Sequence, residues 1–569
     1  MGASSSTNQN NQEQQELESL AASTGGLPIL QKAFTKLSNP DTNSIPLYSL
    51  QECFALPFTN TKSTKSQMPE NFPSLLSHLG PAIVDLLFTV DKGGGVHWTE
   101  FLRGYIRCCG RTSLSVSINT IYRLYAATAA KAGFPSKLEF ESEEDDCKIS
   151  GYFMSTDILM LLWMCWSMSW ISEISKYYQG ELDLPDVNHL VLSAITSCTE
   201  VNKDVNLWNY NISGFEAQLP AQKIHLWALS TTPCLAQCFT QYVHERLQSC
   251  TPAASEESDT SNVLVGDSSS TETHNKVLLT SGRAWAISLA LTSTLSKELL
   301  RASVLRDGSG DFQNLLYRSS VHGKGMNRLW SNVEGYNGPL LILVSASCTE
   351  TGDVDPSAER WIVGVLTDKG LENKDVFYGS SGYLYAISPI FHVFSPNGRE
   401  KNFMYSHLHA TGKYDPHPKP VGLAFGGTSG NERIFIHEDF AKITIRHHAV
   451  DKTYRPGSLF PDQGYLPTEA SIFKVEVWGL GGGKVREKQN QYLKREQLFT
   501  EQRRKVDLNS FGAWEDSPEK MMMGMMFRAT QHDILIVNLA VLEGQKWSLS
   551  VSIPFFFIAL GFSSGYTVS

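Results

Sequence analysis

His437-Glu438-Asp439 and, ten residues on, His447-His448 are the residues of this chain best suited to proton transfer or to holding a metal. Acid/base chemistry needs a titratable group within hydrogen-bond reach of a reacting atom, and a metal needs ligands converging from one side. If Lys442–Ile445 forms a strand, His447 and His448 point to opposite faces and cannot share an ion. The chain carries no nucleophile elbow, no H-E-x-x-H and no Walker pattern. Gly422, Gly426 and Gly427 lack the lysine and helix that a phosphate loop requires, and read as a backbone bend where a side chain would not fit. No catalytic residue, metal, cofactor or small-molecule substrate is assigned, and the chain is expected not to be an enzyme.

A second chemical possibility lies at Leu86–Tyr105, which has the outline of an EF-hand. With Glu100 at loop position 12, Gly94 takes position 6 and Asp91 position 3. Thr89 and Gly93 then occupy positions 1 and 5, where calcium wants side-chain oxygen, so the loop is expected to be degenerate. The start Met-Gly-Ala-Ser-Ser-Ser offers Gly2 as a myristoyl acceptor. One acyl chain gives only weak attachment, with a partition constant on the order of 10⁴ M⁻¹, and the first lysine, Lys32, is far away. A protein partner on the membrane is the simplest second anchor.

The ten cysteines all precede residue 349, with no CxxC pair, which suits reduced thiols in the cytosol better than zinc or a disulfide scaffold. A net charge of −10 over 569 residues supplies no dominant basic face and argues against nucleic acid.

The elements that must position these residues fall into six segments. Residues 1–26 form a flexible start with the lipidation site. Residues 27–248 show helical spacing throughout and read as an all-helical, EF-hand-like domain. Within it Met154–Trp170 is intensely apolar but shorter than a membrane span, which favours a helix buried in a core. Residues 249–275, rich in Ser, Thr, Glu and Asp, read as a disordered linker. Residues 276–483 alternate short runs of Ile, Val, Phe, Tyr and Trp with Gly, Pro and Asn, the pattern of a mainly antiparallel sheet protein. Residues 484–510 suit a long charged helix. Residues 511–569 form a tail of uncertain order, whose apolar end is nearly long enough for a membrane anchor but is diluted by Pro554 and serines.

Four stretches of the sheet segment together resemble the TLDc domain family: LLYRSSVHGKGMNRLW, with Leu316, Tyr317, Gly323 and Trp330; F-x-G-x-x-G-Y-L-Y-A-I-S-P, with Gly379; L-A-F-G-G, with Phe425, Gly426 and Gly427; and K-V-E-V-W-G, with Glu476 and Trp478. The resemblance implies an α+β chain, an antiparallel β-sandwich with flanking helices following the EF-hand-like half. The layout is most similar to the myristoylated MTOR-associated members. It further implies a non-enzymatic regulatory protein, tethered to a vacuolar, lysosomal or plasma membrane from the cytoplasm, that binds the vacuolar-type proton ATPase and contributes to oxidative-stress resistance. An antioxidant enzyme and a calcium-responsive adaptor are the alternatives.

Overall fold

The computed structural model describes residues 3–56, 68–90, 94–142, 148–177, 182–198, 217–250, 277–291, 294–306, 312–348, 360–379, 382–399, 402–409, 416–460 and 464–512. Gly2, most of the segment 249–275 and the tail from 513 lie outside them, so the lipidation site, the linker and the apolar end receive no structural account. The chain divides into two compact units, residues 1–491 and 492–569.

A helix, Ala3–Ser23, occupies most of the segment expected to be flexible, with Glu18 Oε1 accepting from Trp98 Nε1 at 2.8 Å, and two helix–loop–helix units follow it in the larger unit. Helices Leu27–Leu37 and Leu47–Cys53 flank one loop, and helices Leu79–Leu87 and Trp98–Cys109 flank the other. Each loop ends in a two-residue strand, β1 (Ile45–Pro46) and β2 (Gly95–Val96), and the two pair antiparallel with Ile45 opposite Val96. Asn43 and Gly94 turn the chain ahead of these strands at φ of +48° and +79°, the left-handed region that asparagine and glycine tolerate best. The Trp98–Cys109 helix buries Phe101, Leu102, Gly104 and Tyr105, a stripe at helical spacing.

The helix Ser155–Ser169 forms the centre of the helical half. Every residue from Ile158 to Ser169 is buried. The polar edges of its tryptophans are satisfied locally: Trp163 Nε1 donates to the Pro185 carbonyl at 3.0 Å and Trp166 Nε1 to the Asp183 carbonyl at 2.8 Å. Asp157 anchors its start, accepting from the Met154 backbone N–H at 2.8 Å and from Tyr125 Oη at 2.7 Å. Among the described residues no helix is long and apolar enough to cross a membrane.

The expectation of an all-helical first half is corrected by a second small sheet. Strands β3 (Leu138–Phe140), β4 (Ile149–Met154) and β5 (Gln218–Pro220) pair in the order β3-β4-β5. Edge pairing of β5 comes from more than sixty residues downstream, so no local pattern announces it.

Eleven strands follow: β6 (Leu315–Arg318), β7 (Leu340–Ser347), β8 (Trp361–Thr367), β9 (Lys374–Tyr378), β10 (Gly382–Ser388), β11 (His392–Phe394), β12 (Met404–His407), β13 (Gly422–Thr428), β14 (Asn431–His437), β15 (Lys442–Ile445) and β16 (Thr468–Gly479). The expected sandwich of separate sheets is also corrected: they form one curled antiparallel sheet, ordered β11-β10-β8-β7-β16-β15-β14-β13-β12-β9, with β6 pairing β16 off that path. The reason is the length of β16. Its first residues, Thr468–Ser471, pair with β15, and it runs on to pair with β7 through Gly479 opposite Leu340. The register shifts between Ile472 and Lys474, and a shift of this kind bends a strand, so one strand serves both layers.

Alternation along these strands supplies two cores. Leu340, Ile342 and Val344 of β7, Val363 and Val365 of β8 and Val475 and Val477 of β16 point inward, where they meet Leu423, Phe425, Ile434, Ile436 and Ile443. Leu341, Leu343, Ile362, Leu366, Tyr385, Ile387 and Trp478 point outward and join the core of the helical half. The helix Ser281–Leu289 carries that junction: Trp285 meets Trp166 edge-on at 5.7 Å, and its Nε1 donates to Ser169 Oγ at 3.3 Å. The Phe391 backbone N–H donates to the His189 carbonyl at 3.1 Å, and the Cys234 N–H to the Leu289 carbonyl at 2.9 Å. Each fully buried side chain contributes about 1.5–3 kcal/mol, so the outward row is a substantial share of the stability of both halves.

Candidate functional site

The sheet half carries an open groove of about 780 Å³. One wall is the segment Lys324–Arg328 at the start of helix Met326–Val333; the other is His437–Asp439 at the end of β14, with Pro420, Val421 and Phe435 between them.

The first wall is held by residues of the LLYRSSVHGKGMNRLW stretch. Tyr317, fully buried on β6, donates from its hydroxyl to the Gly323 carbonyl at 2.6 Å and lies face to face with His322. Gly323 and Gly325 adopt φ of +87° and +107°, which allows two sharp turns on either side of Lys324. The Met326 N–H donates to the Glu438 carbonyl at 2.8 Å, so the helix start and the turn after β14 are tied together. Leu316 and Trp330 are buried beneath this wall.

The second wall is a tight turn. The Phe440 N–H donates to the His437 carbonyl at 3.0 Å, and Asp439 Oδ1 accepts from the Ala441 N–H at 2.9 Å. Phe440 sits at φ +56° with its ring buried against Tyr317, 6.1 Å away edge-on. A non-glycine residue in that region marks a turn held by its surroundings. Glu438 and Asp439 are exposed, as are Lys324 and Arg328 on the first wall, while His437 is half-buried with Nε2 3.3 Å from Thr444 Oγ1. Lys324 Nζ donates to the Ile472 carbonyl at 2.7 Å. The groove is thus lined by two cations and two carboxylates, with the Lys324 ammonium held on a backbone carbonyl. Such a surface recognises a partner carrying both signs of charge more readily than it encloses a reacting molecule.

His447 and His448 are not part of this groove. They follow β15 at the opposite end of the β14–β15 ladder from His437. His447 stacks on Tyr465 at 4.8 Å, with Nδ1 3.1 Å from the Gly464 carbonyl. His448 is buried, with Nδ1 3.2 Å from Asp451 Oδ2. Among the described residues no group of three or more His, Cys, Asp or Glu side chains is placed to hold a metal ion.

The remaining sheet residues singled out by sequence form the scaffold. Gly379 (φ +93°) passes against the Phe403 ring. Gly426 and Gly427 (φ +69° and +88°) bring β13 against Tyr454 and His448, and the Gly426 N–H leaves the ladder to donate to the Phe403 carbonyl at 2.7 Å. Phe425 is buried in the inner core. Glu476, fully buried, lies 3.4 Å from Arg318 Nε and accepts from the Leu278 N–H at 2.9 Å and from Trp478 Nε1 at 3.2 Å. Burial pushes the Glu476 carboxyl above its ordinary value, an effect opposed by Arg318, the Leu278 N–H and Lys474. Trp478 meets Phe312 edge-on at 5.0 Å.

Sequence reasoning missed a buried charge network. Arg433 Nη1 lies 3.1 Å from Asp451 Oδ2, and its guanidinium also donates to the carbonyls of Arg455 and Gly457, both at 2.7 Å. Asp451 Oδ1 accepts from the Thr453 and Tyr454 N–H groups and from Thr453 Oγ1. Burial alone raises the Asp451 carboxyl, but His448, Thr453 and Tyr454 outweigh it and hold the group well below the usual carboxylate range. The only sequence signal was an Asp-Lys-Thr turn after the histidine pair.

In the helical half, Thr89 and Gly94 lie exposed on the second loop, and Asp91 and Gly93 fall outside the described residues. Glu100, the expected last ligand, accepts from Arg103 Nη1 at 2.5 Å. A calcium ion there would have to displace that cation.

Residues 291–481 match the family model of the TLDc domain. The chain is 25% identical over 185 residues to Restriction of telomere capping protein 5 of Zygosaccharomyces rouxii, covering 32% of this chain and 32% of the yeast protein. The match therefore spans about a third of the length of that curated relative.

Proposed function

We propose that this chain, which carries a TLDc domain at 291–481, is a regulatory protein that works by binding a protein complex and not by catalysis. The observation that carries the reading is the groove between Lys324–Arg328 and His437–Asp439. Its charged side chains are exposed, while the backbone beneath them is fixed by Tyr317, Gly323, Met326 and Phe440. A rigid frame presenting exposed charges of both signs fits protein recognition, because little ordering cost accompanies docking.

The resemblance makes the vacuolar-type proton ATPase the first complex to test, with the chain held at its cytoplasmic face by a myristoyl group on Gly2. The full chain, expressed in eukaryotic cells, is used to capture that ATPase from detergent-solubilised membranes. Capture by the wild type and its loss with a Glu438→Lys, Asp439→Lys variant supports the reading; equal capture by both removes the groove from it. A mass spectrum of the N-terminal peptide reports whether Gly2 is acylated.

One observation favours a second reading, a calcium-responsive adaptor. The Ile45↔Val96 ladder couples the two helix–loop–helix units in the manner of paired EF-hands, with Asn43 and Gly94 at equivalent turns. The Glu100–Arg103 contact weighs against it. Calorimetry of the full chain decides: heat of binding near micromolar calcium establishes the adaptor, and a flat trace removes it.

A further inference from the structure

The sulfur atoms of Cys53 and Cys250 lie 3.0 Å apart, although the residues are 197 positions apart in the chain. Cys53 closes the helix Leu47–Cys53, and Cys250 follows the helix Leu235–Ser249 directly. Two residues of the second helix and the residue that caps it, spaced by four, fasten onto the end of the first. Tyr242 Oη donates to the Phe54 carbonyl at 3.0 Å, Arg246 Nε donates to the Cys53 carbonyl at 2.7 Å, and Cys250 brings its sulfur to that of Cys53. Residues at i, i+4 and i+8 share one helix face, so the contact between sulfurs is set by two backbone-directed hydrogen bonds below it. Cys53 is buried and Cys250 only partly so, which makes Cys250 the member of the pair nearer to solvent.

We propose that Cys53 and Cys250 are a reversible dithiol–disulfide site, oxidised by a hydroperoxide. Cys250 is the attacking sulfur. A hydrogen bond from Cys53 brings its thiol down to about 7 against the opposing effect of burial, with Arg246 and Lys36 assisting. The same contact and burial push Cys53 up, so it serves as the resolving thiol. The Cys250 thiolate attacks one oxygen of the peroxide; the S–O bond forms, the O–O bond breaks, and the departing hydroxide (or alkoxide) takes up the proton that Cys250 released. Cys53 then attacks the Cys250 sulfenic acid, forming the S–S bond and expelling hydroxide, which leaves as water with the Cys53 proton. Two thiols lose two electrons in total, and the peroxide gains them. Closing the sulfurs from 3.0 Å to a bond of about 2.05 Å asks for a shift of only about one ångström.

The site differs from the other cysteines. Cys165 and Cys238 are buried in the helical core, and burial pushes both thiols up. Cys108 and Cys109 are neighbours in sequence and form a rival pair to be distinguished.

The test is peptide mapping of the full chain by mass spectrometry after stoichiometric hydrogen peroxide and alkylation of the remaining thiols. The expected result is one cross-linked peptide joining Cys53 to Cys250, with both thiols lost together and both restored by dithiothreitol. Cys250→Ser should leave Cys53 alkylatable after denaturation. Cys53→Ser should leave Cys250 as a sulfenic acid trapped by dimedone. The oxidised wild type should melt higher than the reduced one, a readout that needs no variant to fold. A Cys108–Cys109 bond, Cys250 carried to sulfinic acid while Cys53 stays free, or both thiols unchanged would each overturn the proposal.

Discussion

Arg433 on β14 and Asp451 beyond β15 meet at 3.1 Å with neither side chain reaching water, and the long connection into β16 is fastened at that point. Two charges removed from solvent stabilise only when most of their donors and acceptors are used, and here the carbonyls of Arg455 and Gly457 take Nη1 and Nη2 of the guanidinium while Nε is left without a hydrogen-bond partner. Arg433→Met leaves the carboxylate buried without its cation and should lower the unfolding free energy by about 3–5 kcal/mol. Urea unfolding of the full chain measures it.

Acid should act through the same carboxylate. Asp451 is held below its unfolded value, about 3.9, so the unfolded chain binds more protons and stability rises with pH. The contribution is complete above about pH 4 and is lost as pH falls toward the folded value. Glu476, pushed up by burial, works in the opposite sense and loses stability as pH rises through its unfolded range. Melting temperatures between pH 6 and pH 3 should therefore fall less steeply in Asp451→Asn than in the wild type, and more steeply in Glu476→Gln.

Leu343 points from β7 into the core shared with the helical half. Leu343→Ala should cost about 2–5 kcal/mol. Expressed alone, residues 277–491 would expose the row Leu341, Leu343, Tyr385 and Trp478, and should bind a hydrophobic dye or aggregate. A soluble, dye-negative fragment would count against the shared core.

At Gly427 a Cβ would press on the Asn431 carbonyl, and the backbone is at φ +88°. Gly427→Ala combines a left-handed penalty of about 1–2 kcal/mol with that clash. Differential scanning calorimetry should show a lower melting temperature, whereas Gly430→Ala, also left-handed but open around its Cβ, should lose less.

Glu438 is exposed, and reversing its charge should change stability by no more than about 0.5 kcal/mol, whereas Asp439→Lys also gives up the hydrogen bond from the Ala441 N–H and should cost about 1 kcal/mol more. Loss of partner capture in Glu438→Lys alone, with a melting curve that overlays the wild type, then reports on recognition, and the double variant should lose capture further.

Much of the sheet was legible because its signal is local. Leu340–Val344, Trp361–Val365, Tyr383–Ile387 and Ile434–Ile436 are short apolar runs that the structure places within β7, β8, β10 and β14. β9, Lys-Asp-Val-Phe-Tyr, was missed because it begins with two charges and is exposed at an edge. The three-stranded sheet β3–β5 escaped because its pairing is distant and its strands are only three to six residues long. The groove was half legible: His437–Asp439 stood out as reactive types, but tertiary contacts, the Met326–Glu438 hydrogen bond and the Phe440–Tyr317 packing, bring Lys324–Arg328 opposite them. Arg433 gave no warning, since a charged residue ahead of Ile434 reads as the solvent face of a strand until Asp451 is folded over it.

The outward-facing leucines and aromatics of β7, β8, β10 and β16 have one further effect. A protease cut or premature stop that removes either half strips the cover from the other, and the fragment carries the greasy surface that quality-control chaperones and proteases act on. Partial chains should accordingly be short-lived in cells, so that damage to this gene lowers its dose instead of leaving a competing remnant.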